Sequence, residues 1–361
     1  MSLFKKVAAA AAASAMVLTL ASCGKDTTWG AEIDGVNIRA GIMILFQSNA
    51  LSEAYTYMGE GDTDVMALTI EDKTTEAWVN DSAKQYMREY AAVENKFNEL
   101  GIKFENNEEE KVSILVDQWW EYYQDYFESI GVGKQSYLDV TLNSEKKNAI
   151  FDYYYGEGGE KAVSEDDIKA YLEENNARIN YIKMELKDGE GNLLKSDGKA
   201  EIKTMAEGYI ERIKNGEDMN TVGKEYADYY NALVKAAAEA ASEENAAAED
   251  AQTEVAYSDN TRVISKESTV PSAAVAEKVF DSSVKAGDVF LVEEDEVYYI
   301  VQKQELFADE TYLENQRENV IHELKDEEFD QTVKSWTESQ NAVFNDAAFE
   351  RYKVKKLAED N

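Results

Sequence analysis

Cysteine and histidine, the side chains that most often serve as nucleophile or general base, each occur once in this sequence. Cys23 is the single thiol, so the chain cannot form an intramolecular disulfide or a cysteine-based metal cluster. His322 lies among charged residues of a predicted helix, which favours a surface histidine over the base of a nucleophilic site. The segment 188–192 has the composition of a calcium loop, but Leu193 and Lys199 occupy its sixth and twelfth positions, where glycine and glutamate are needed. The sequence therefore predicts no metal site and no cofactor.

The N-terminal segment has the pattern of an export signal. Lys5 and Lys6 precede a run of about fifteen apolar or small residues, 7–21, which is shorter than the roughly 20 residues that span a bilayer. The run ends in Leu-Ala-Ser-Cys-Gly, which resembles the lipobox of bacterial lipoproteins. That resemblance implies that 1–22 is a lipoprotein signal peptide and that Cys23 is the site of lipid attachment. An ordinary signal peptide with a chance cysteine is the alternative.

The charge composition excludes several classes of partner. The 361 residues contain 37 Lys and Arg against 73 Asp and Glu, a formal net charge of −36. Nucleic-acid binding depends on basic side chains that neutralise phosphates, so we expect no nucleic-acid partner. Docking on an anionic bilayer through a basic patch is excluded for the same reason. Apolar residues make up 44% of the chain, with 22 Tyr and 5 Trp, so a folded core is expected. The single proline suits a mostly helical protein.

The first half of the chain predicts a hairpin followed by helices. Residues 32–38 alternate around Asp34-Gly35, a signal for a tight turn. Apolar residues then recur at three- and four-residue steps, and Gly101, Gly131 and Gly156 stand where three of the helices would end. The predicted helices are 39–58, 76–100, 107–130 and 142–155. The third helix holds Ile114, Leu115, Trp119, Tyr122 and Phe127.

The second half mixes strands and helices. Ser164 followed by acidic residues predicts a helix start, with the helix running to about 174. Residues 236–256 are rich in Ala and Glu, and we interpret them as a solvated helix or a disordered insertion. A long amphipathic helix, 310–340, closes the chain. Strands are predicted at 178–186, 262–265, 289–292 and 297–301, and further helices at 199–215 and 219–226.

This layout resembles that of the extracytoplasmic foldases PrsA and SurA. The local matches are 33–38 before a helix, the acidic helix start at 163–171, and the segments 213–228, 276–288 and 297–301. The resemblance implies an α+β fold, mostly α. A helical SurA-like N-terminal domain would be completed by a long C-terminal helix, and a parvulin-like α+β domain would be inserted between them. The implied domains are 23–163 for the helical chaperone domain, 164–305 for the parvulin-like domain with insertion 236–256, and 306–361 for the C-terminal helix packing back on the first domain.

The same resemblance implies a proline pocket that departs from the family pattern. Active parvulins carry a histidine in the first strand and another in the last, and these positions align with Tyr181 and Tyr299. Phe280 matches an aromatic side chain of the family's pocket, and a role in the core is the alternative. Two tyrosines cannot supply the usual pair of imidazoles. Peptidyl-prolyl isomerase activity that is weak or lost is therefore one expectation, and a genuine isomerase that works through hydroxyl hydrogen bonds of the two tyrosines is the alternative.

Runs of aromatic residues suggest how such a protein would act. Trp119-Trp120, Tyr122-Tyr123 and Tyr153-Tyr154-Tyr155 lie in predicted helices, where adjacent side chains point in different directions, so only some can be core. The rest could contact unfolded chains. The sequence thus predicts a lipid-anchored chaperone or foldase on the outer face of the bacterial cell membrane, with unfolded or partly folded exported polypeptides as partners. The alternative is a non-enzymatic envelope or solute-binding lipoprotein.

Overall fold

The computed structural model describes residues 26–61, 63–104, 107–243 and 257–359. The leader 1–22 and Cys23 lie outside this part of the chain. The helices are α1 (Ala40–Tyr55), α2 (Thr75–Leu100), α3 (Glu108–Ile130), α4 (Lys134–Tyr155), α5 (Glu165–Asn175), α6 (Ser196–Lys214), α7 (Met219–Glu243), α8 (Ala273–Val279), α9 (Tyr312–Thr337), α10 (Asp346–Arg351) and α11 (Val354–Glu359). The strands are β1 (Trp29–Ile33), β2 (Val36–Arg39), β3 (Thr69–Ile70), β4 (Lys73–Thr74), β5 (Asn176–Glu185), β6 (Arg262–Ser265), β7 (Val289–Glu293), β8 (Val297–Gln304) and β9 (Ala342–Phe344).

The fold is α+β and mostly helical, as predicted. The chain forms two compact units. The first comprises the described residues up to Tyr153 together with those from Glu327 onward, and the second runs from Tyr154 to Asp326. The assignment of a chaperone domain and a parvulin-like domain to this chain remains a prediction.

The first unit contains a small sheet that joins the two ends of the described chain. Strands β1 and β2 form the predicted hairpin, with Asp34 and Gly35 both at positive φ, as a type I′ hairpin turn requires. Strand β9 pairs antiparallel with the other edge of β1, giving the order β2-β1-β9. The side chain of Asn345 donates to the carbonyls of Asp26 and Trp29, which fixes the tail against this edge.

Helices α1 and α2 supply the core of the first unit. Helix α1 is apolar almost all round and is buried along most of its length, which is the pattern of a central helix. Thr74 caps the N-terminus of helix α2, where its side-chain oxygen accepts from the backbone N–H of Ala77 at 3.3 Å. Gly101 caps the C-terminus in the left-handed conformation. Gly131 ends α3 in the same way, as its position in the sequence predicts.

The second unit is built on an antiparallel sheet with the order β6-β5-β8-β7. Its elements follow one another as β5-α6-α7-β6-α8-β7-β8, in which the four strands and helices α6 and α7 come in the order that the sequence predicts. Side chains alternate between the two faces of the sheet. One face packs against α6 and α7 through Ile182, Met184 and Ile300, and the other packs against α8 through Ile179 and Val301.

Two helices are longer than the sequence predicts. Helix α4 begins at Lys134, eight residues before the predicted start, and α7 continues beyond Tyr226 to Glu243. The first eight residues of the Ala/Glu-rich insertion therefore belong to α7, because alanine and glutamate favour the helix even where they are exposed. Residues 244–256 of that insertion lie outside the described part of the chain. Among the described residues, no helix combines the length and apolar character needed to cross a bilayer.

Candidate functional site

The three residues that the sequence assigns to a proline pocket meet in one cluster of the second unit. Tyr181 on β5 and Tyr299 on β8 point to the same face of the sheet, because Tyr181 pairs with Val301, two residues beyond Tyr299. Their ring centroids are 6.0 Å apart in an edge-to-face arrangement. Phe280, directly after α8, packs against the same cluster. The structure thus brings the three together, and their role as a binding pocket remains a prediction.

Both tyrosine rings of this cluster are largely removed from water. Tyr181 is 8% exposed and Tyr299 is 5% exposed. The Tyr299 hydroxyl donates to the carbonyl oxygen of Pro271 at 3.3 Å, so its proton is already engaged within the chain. Burial raises the pKa of Tyr299, which keeps its phenol protonated at neutral pH. The Tyr299 phenol can therefore donate a hydrogen bond, but it cannot act as a general base near pH 7.

Charged groups surround the two tyrosines. Lys183 lies on the same face of β5, and its ammonium is 2.7 Å from Oε1 of Glu185. That hydrogen bond raises the pKa of Lys183, so the lysine stays charged. The guanidinium of Arg262 lies 5.3 Å from the centre of the Tyr181 ring, within the range of a cation–π contact. These cations attract the faces of electron-rich rings and carbonyl oxygens.

Removing the Tyr299 hydroxyl is expected to weaken the second unit. The variant Tyr299→Phe loses the hydrogen bond to Pro271 and leaves that carbonyl unpaired, for a loss of about 0.5–1.5 kcal/mol of unfolding free energy. Tyr181→Phe is the matched control, because among the described residues the Tyr181 hydroxyl has no hydrogen-bond partner. Urea denaturation followed by circular dichroism measures both. Equal losses in the two variants would show that the Tyr299 bond contributes nothing.

A second candidate site lies on α3, in the first unit. Five large side chains of this helix are exposed to solvent, and we call them the α3 face: Ile114, Leu115, Trp119, Tyr122 and Tyr123. Tyr122 is 82% exposed, and the other four are 47–52% exposed. Trp119 and Tyr123 stack on each other, with ring centroids 5.7 Å apart. Several large apolar side chains exposed along one helix mark an interaction site more often than a solitary exposed ring does.

The opposite side of α3 explains why this face stays exposed. Val112, Val116, Trp120 and Ile130 are buried and recur at helical spacing, so they already supply the side that packs. Phe127 connects α3 to α4, with its ring centroid 5.0 Å from that of Tyr137. The aromatic run thus divides as its sequence predicts, with Trp120 in the interior and Trp119 at the surface. Among the other predicted aromatics, Tyr155 is buried and Tyr153 is exposed.

A cleft lies beside the N-terminal half of α3. Its volume is about 600 Å³, and its wall includes Phe104 and Leu142. The glutamates at 108, 109 and 110 form another part of that wall, together with Ser113 and Leu138. These glutamates occupy the first turn of α3, where the helix dipole favours negative charge. The lining of the cleft therefore combines apolar and acidic side chains.

His322, the chain's single histidine, has the surroundings of a surface residue. His322 pairs with Asp326 one turn later on α9, with Nδ1 and Oδ1 2.8 Å apart, and both side chains are partly exposed. Such an i, i+4 pair is typical of a helix surface. Within the described residues, no group of three or more His, Cys, Asp or Glu side chains is arranged to hold a metal ion.

Comparison with known proteins gives structural neighbours but no family. No protein-family model matches the chain, and no curated protein matches it. Similar solved structures include PrsA from Bacillus subtilis, at 15% identity over 81% of this chain and 91% of that chain, with a TM-score of 0.24. Foldase protein PrsA from Streptococcus pneumoniae str. Canada MDR_19A matches at 12% identity over 75% and 91%, with a TM-score of 0.28. Foldase protein PrsA from Lactococcus lactis matches at 13% identity over 91% and 98%, with a TM-score of 0.32. At these identities and TM-scores, a structural likeness does not establish a shared function.

Proposed function

We propose that this protein is an extracytoplasmic chaperone or foldase that binds unfolded segments of exported polypeptides. The observation that carries the proposal is the α3 face, an exposed apolar and aromatic surface on a highly acidic chain. A chaperone of this type needs apolar surface to hold an unfolded segment weakly, and it needs charge to stay soluble while that surface is open. The α3 face supplies the first property and the net charge supplies the second.

The two units fit this function as a chaperone domain and a degenerate parvulin-like domain. The α3 face belongs to the first unit, which is mostly helical. The element order of the second unit and its antiparallel sheet support the parvulin-like assignment. The buried tyrosine pair and the engaged Tyr299 hydroxyl support a packing role for this cluster rather than catalysis. In this proposal the second unit has little or no isomerase activity, and a proline-peptide assay should give the same rate for the wild type, Tyr181→Phe and Tyr299→Phe.

Aggregation of an unfolded client tests the proposed function. We expect the wild-type protein to suppress light scattering by a chemically denatured client at a near-stoichiometric ratio. A chaperone that only binds its client, without a catalytic cycle, protects about one client molecule per chaperone molecule. An acidic protein of similar size without exposed apolar helices serves as the control for nonspecific charge effects. No suppression beyond that control would contradict the proposal and would favour a non-enzymatic envelope or solute-binding lipoprotein.

We also propose that the protein is anchored to the outer face of the cell membrane through lipid on Cys23. The support is the charged, apolar and small-residue pattern of the leader together with the chain's single thiol. Cys23→Ala is expected to move the protein from the detergent-rich to the aqueous phase in a detergent partition experiment. Cys23→Ala protein that remained in the detergent-rich phase would contradict lipid attachment at this position.

A further inference from the structure

We propose that the α3 face selects client segments in which Lys or Arg lies next to aromatic or aliphatic residues. This inference rests on the proposed function and names the substrate class of the same surface. The first observation is how charge and apolar groups alternate on α3. Asp117 lies three residues after Ile114, and Asp125 lies three residues after Tyr122. Residues three apart are neighbours on a helix surface, so each of these apolar anchors has a carboxylate beside it.

The carboxylates of α3 greatly outnumber its cations. Lys111 is the only basic residue of the helix, against the acids Glu108, Glu109, Glu110, Asp117, Glu121, Asp125 and Glu128. Some of these groups are engaged within the first unit: Asp117 is 2.8 Å from the ammonium of Lys134, and Glu128 accepts from the amide of Gln124 at 2.9 Å. Within the described chain, Glu121 and Asp125 have neither an ion pair nor a hydrogen bond from a side chain. Asp125 therefore presents an open carboxylate one turn from the exposed Tyr122 ring, and Glu121 extends the same acidic side of the helix one turn earlier.

The rings of the α3 face favour the same ligand as the carboxylates. Trp119 and Tyr122 expose aromatic surface, and the face of an aromatic ring attracts ammonium and guanidinium groups. A segment with a basic residue beside an apolar one could place its apolar side chain on the rings and its cation at Glu121 or Asp125. An acidic segment would meet like charge along most of the helix. Nucleic acid and a second copy of this acidic chain are disfavoured in the same way.

Three synthetic peptides with the same aromatic and aliphatic residues test the selectivity. They carry Lys, Ser or Glu at the positions between the apolar residues, and their binding to the full chain is measured by fluorescence anisotropy. We expect the Lys peptide to bind about five- to tenfold more tightly than the Glu peptide, with the Ser peptide between them. The difference should shrink strongly at about 0.5 M salt, because these charges are exposed and screened.

Two pairs of charge-neutralising substitutions locate the effect. Glu121→Gln with Asp125→Asn should remove most of the preference for the Lys peptide. Glu267→Gln with Glu277→Gln is the matched control, since it removes the same charge from exposed positions of the second unit and should leave the preference unchanged.

The possible outcomes separate this inference from the proposed function. Equal binding of the three peptides to the wild type would overturn the selectivity and leave the chaperone function standing. An equal loss of preference in both pairs of variants would overturn the assignment to α3, since net charge alone would then be the cause. Failure of all three peptides to bind would overturn the inference and the proposed function together.

Discussion

Replacing Trp119 and Tyr122 by serine is expected to raise the concentration of protein needed to suppress client aggregation by about tenfold or more. Large aromatic side chains at the centre of an interface typically contribute more than about 1–2 kcal/mol each to binding. Both rings are at the surface, and Tyr122 is 82% exposed, so the fold does not depend on them. Light scattering by a denatured client, measured against a titration of each variant, gives the result directly.

The interpretation of this variant depends on its stability and on a matched control. Substitutions at exposed positions usually change the unfolding free energy by about 0.5 kcal/mol or less, with a further loss here from the stacking of Trp119 on Tyr123. Tyr229→Ser with Leu233→Ser removes an exposed ring and an exposed aliphatic side chain from α7 in the second unit. This control should suppress aggregation as well as the wild type does. Unchanged suppression by the Trp119 and Tyr122 variant would contradict a role for the α3 face.

The second large effect is a loss of stability at alkaline pH. In the folded protein the pKa values of Tyr86, Tyr90 and Tyr226 are raised, mainly because the phenols are buried. Burial likewise raises the pKa of Tyr257 to about 12. The unfolded chain loses phenolic protons near pH 10, its ordinary tyrosine pKa. Above that pH the unfolded state binds fewer protons than the folded state, so the free energy of unfolding falls as pH rises toward the folded pKa values.

The size of the alkaline effect follows from the number of buried phenols. Each tyrosine that remains protonated only in the folded state contributes a slope of at most roughly 1.4 kcal/mol per pH unit. Urea denaturation at pH 8, 10, 11 and 11.5, followed by circular dichroism, should show a flat region up to about pH 10 and a steep loss above it. Tyr226→Phe should lessen the slope. A stability that stays constant through pH 11.5 would contradict the pKa assignments.

Local signals in the sequence predict most of the elements. Asp34-Gly35 identifies the first hairpin, because a type I′ turn needs positive φ at both positions and Asp-Gly readily adopts it. Gly101 and Gly131 mark helix ends. Ser164 marks a helix start, where its hydroxyl oxygen accepts from the backbone N–H of Asp167 at 3.1 Å. Each of these features depends on a few adjacent residues, which is why the sequence alone is sufficient for them.

Features that depend on distant residues are not predicted. Strand β9 pairs with β1, more than 300 positions earlier in the chain, and its three residues carry no recognisable strand pattern. The sequence instead assigns this region to the end of a long helix and a tail. The pairing register of β5 and β8, which brings Tyr181 close to Tyr299, is set by contacts between strands that are far apart in the sequence. The sequence suggests this pairing only through the resemblance to parvulins.

The α3 face also has one feature that the sequence predicts and one that it does not. Apolar spacing predicts that α3 is a helix, but periodicity does not reveal which of its two apolar sides packs. The structure buries Val112, Val116 and Trp120 and leaves Leu115 and Trp119 outside. One sequence signal could have indicated part of this: Asp117, Glu121 and Asp125 follow one another at four-residue steps on the side of the helix that carries Ile114. A side of the helix with so many carboxylates could not enter a core.

Site-specific photocrosslinking tests the central claim, which is that an unfolded client contacts the α3 face. A benzophenone amino acid replaces Tyr122 in one protein and Glu99, an exposed residue of α2, in the other, and each is irradiated with a denatured client. We expect a crosslinked product from position 122 that excess unlabelled client competes away, with little product from position 99. A yield at position 122 that is no greater than at position 99 would contradict the claim.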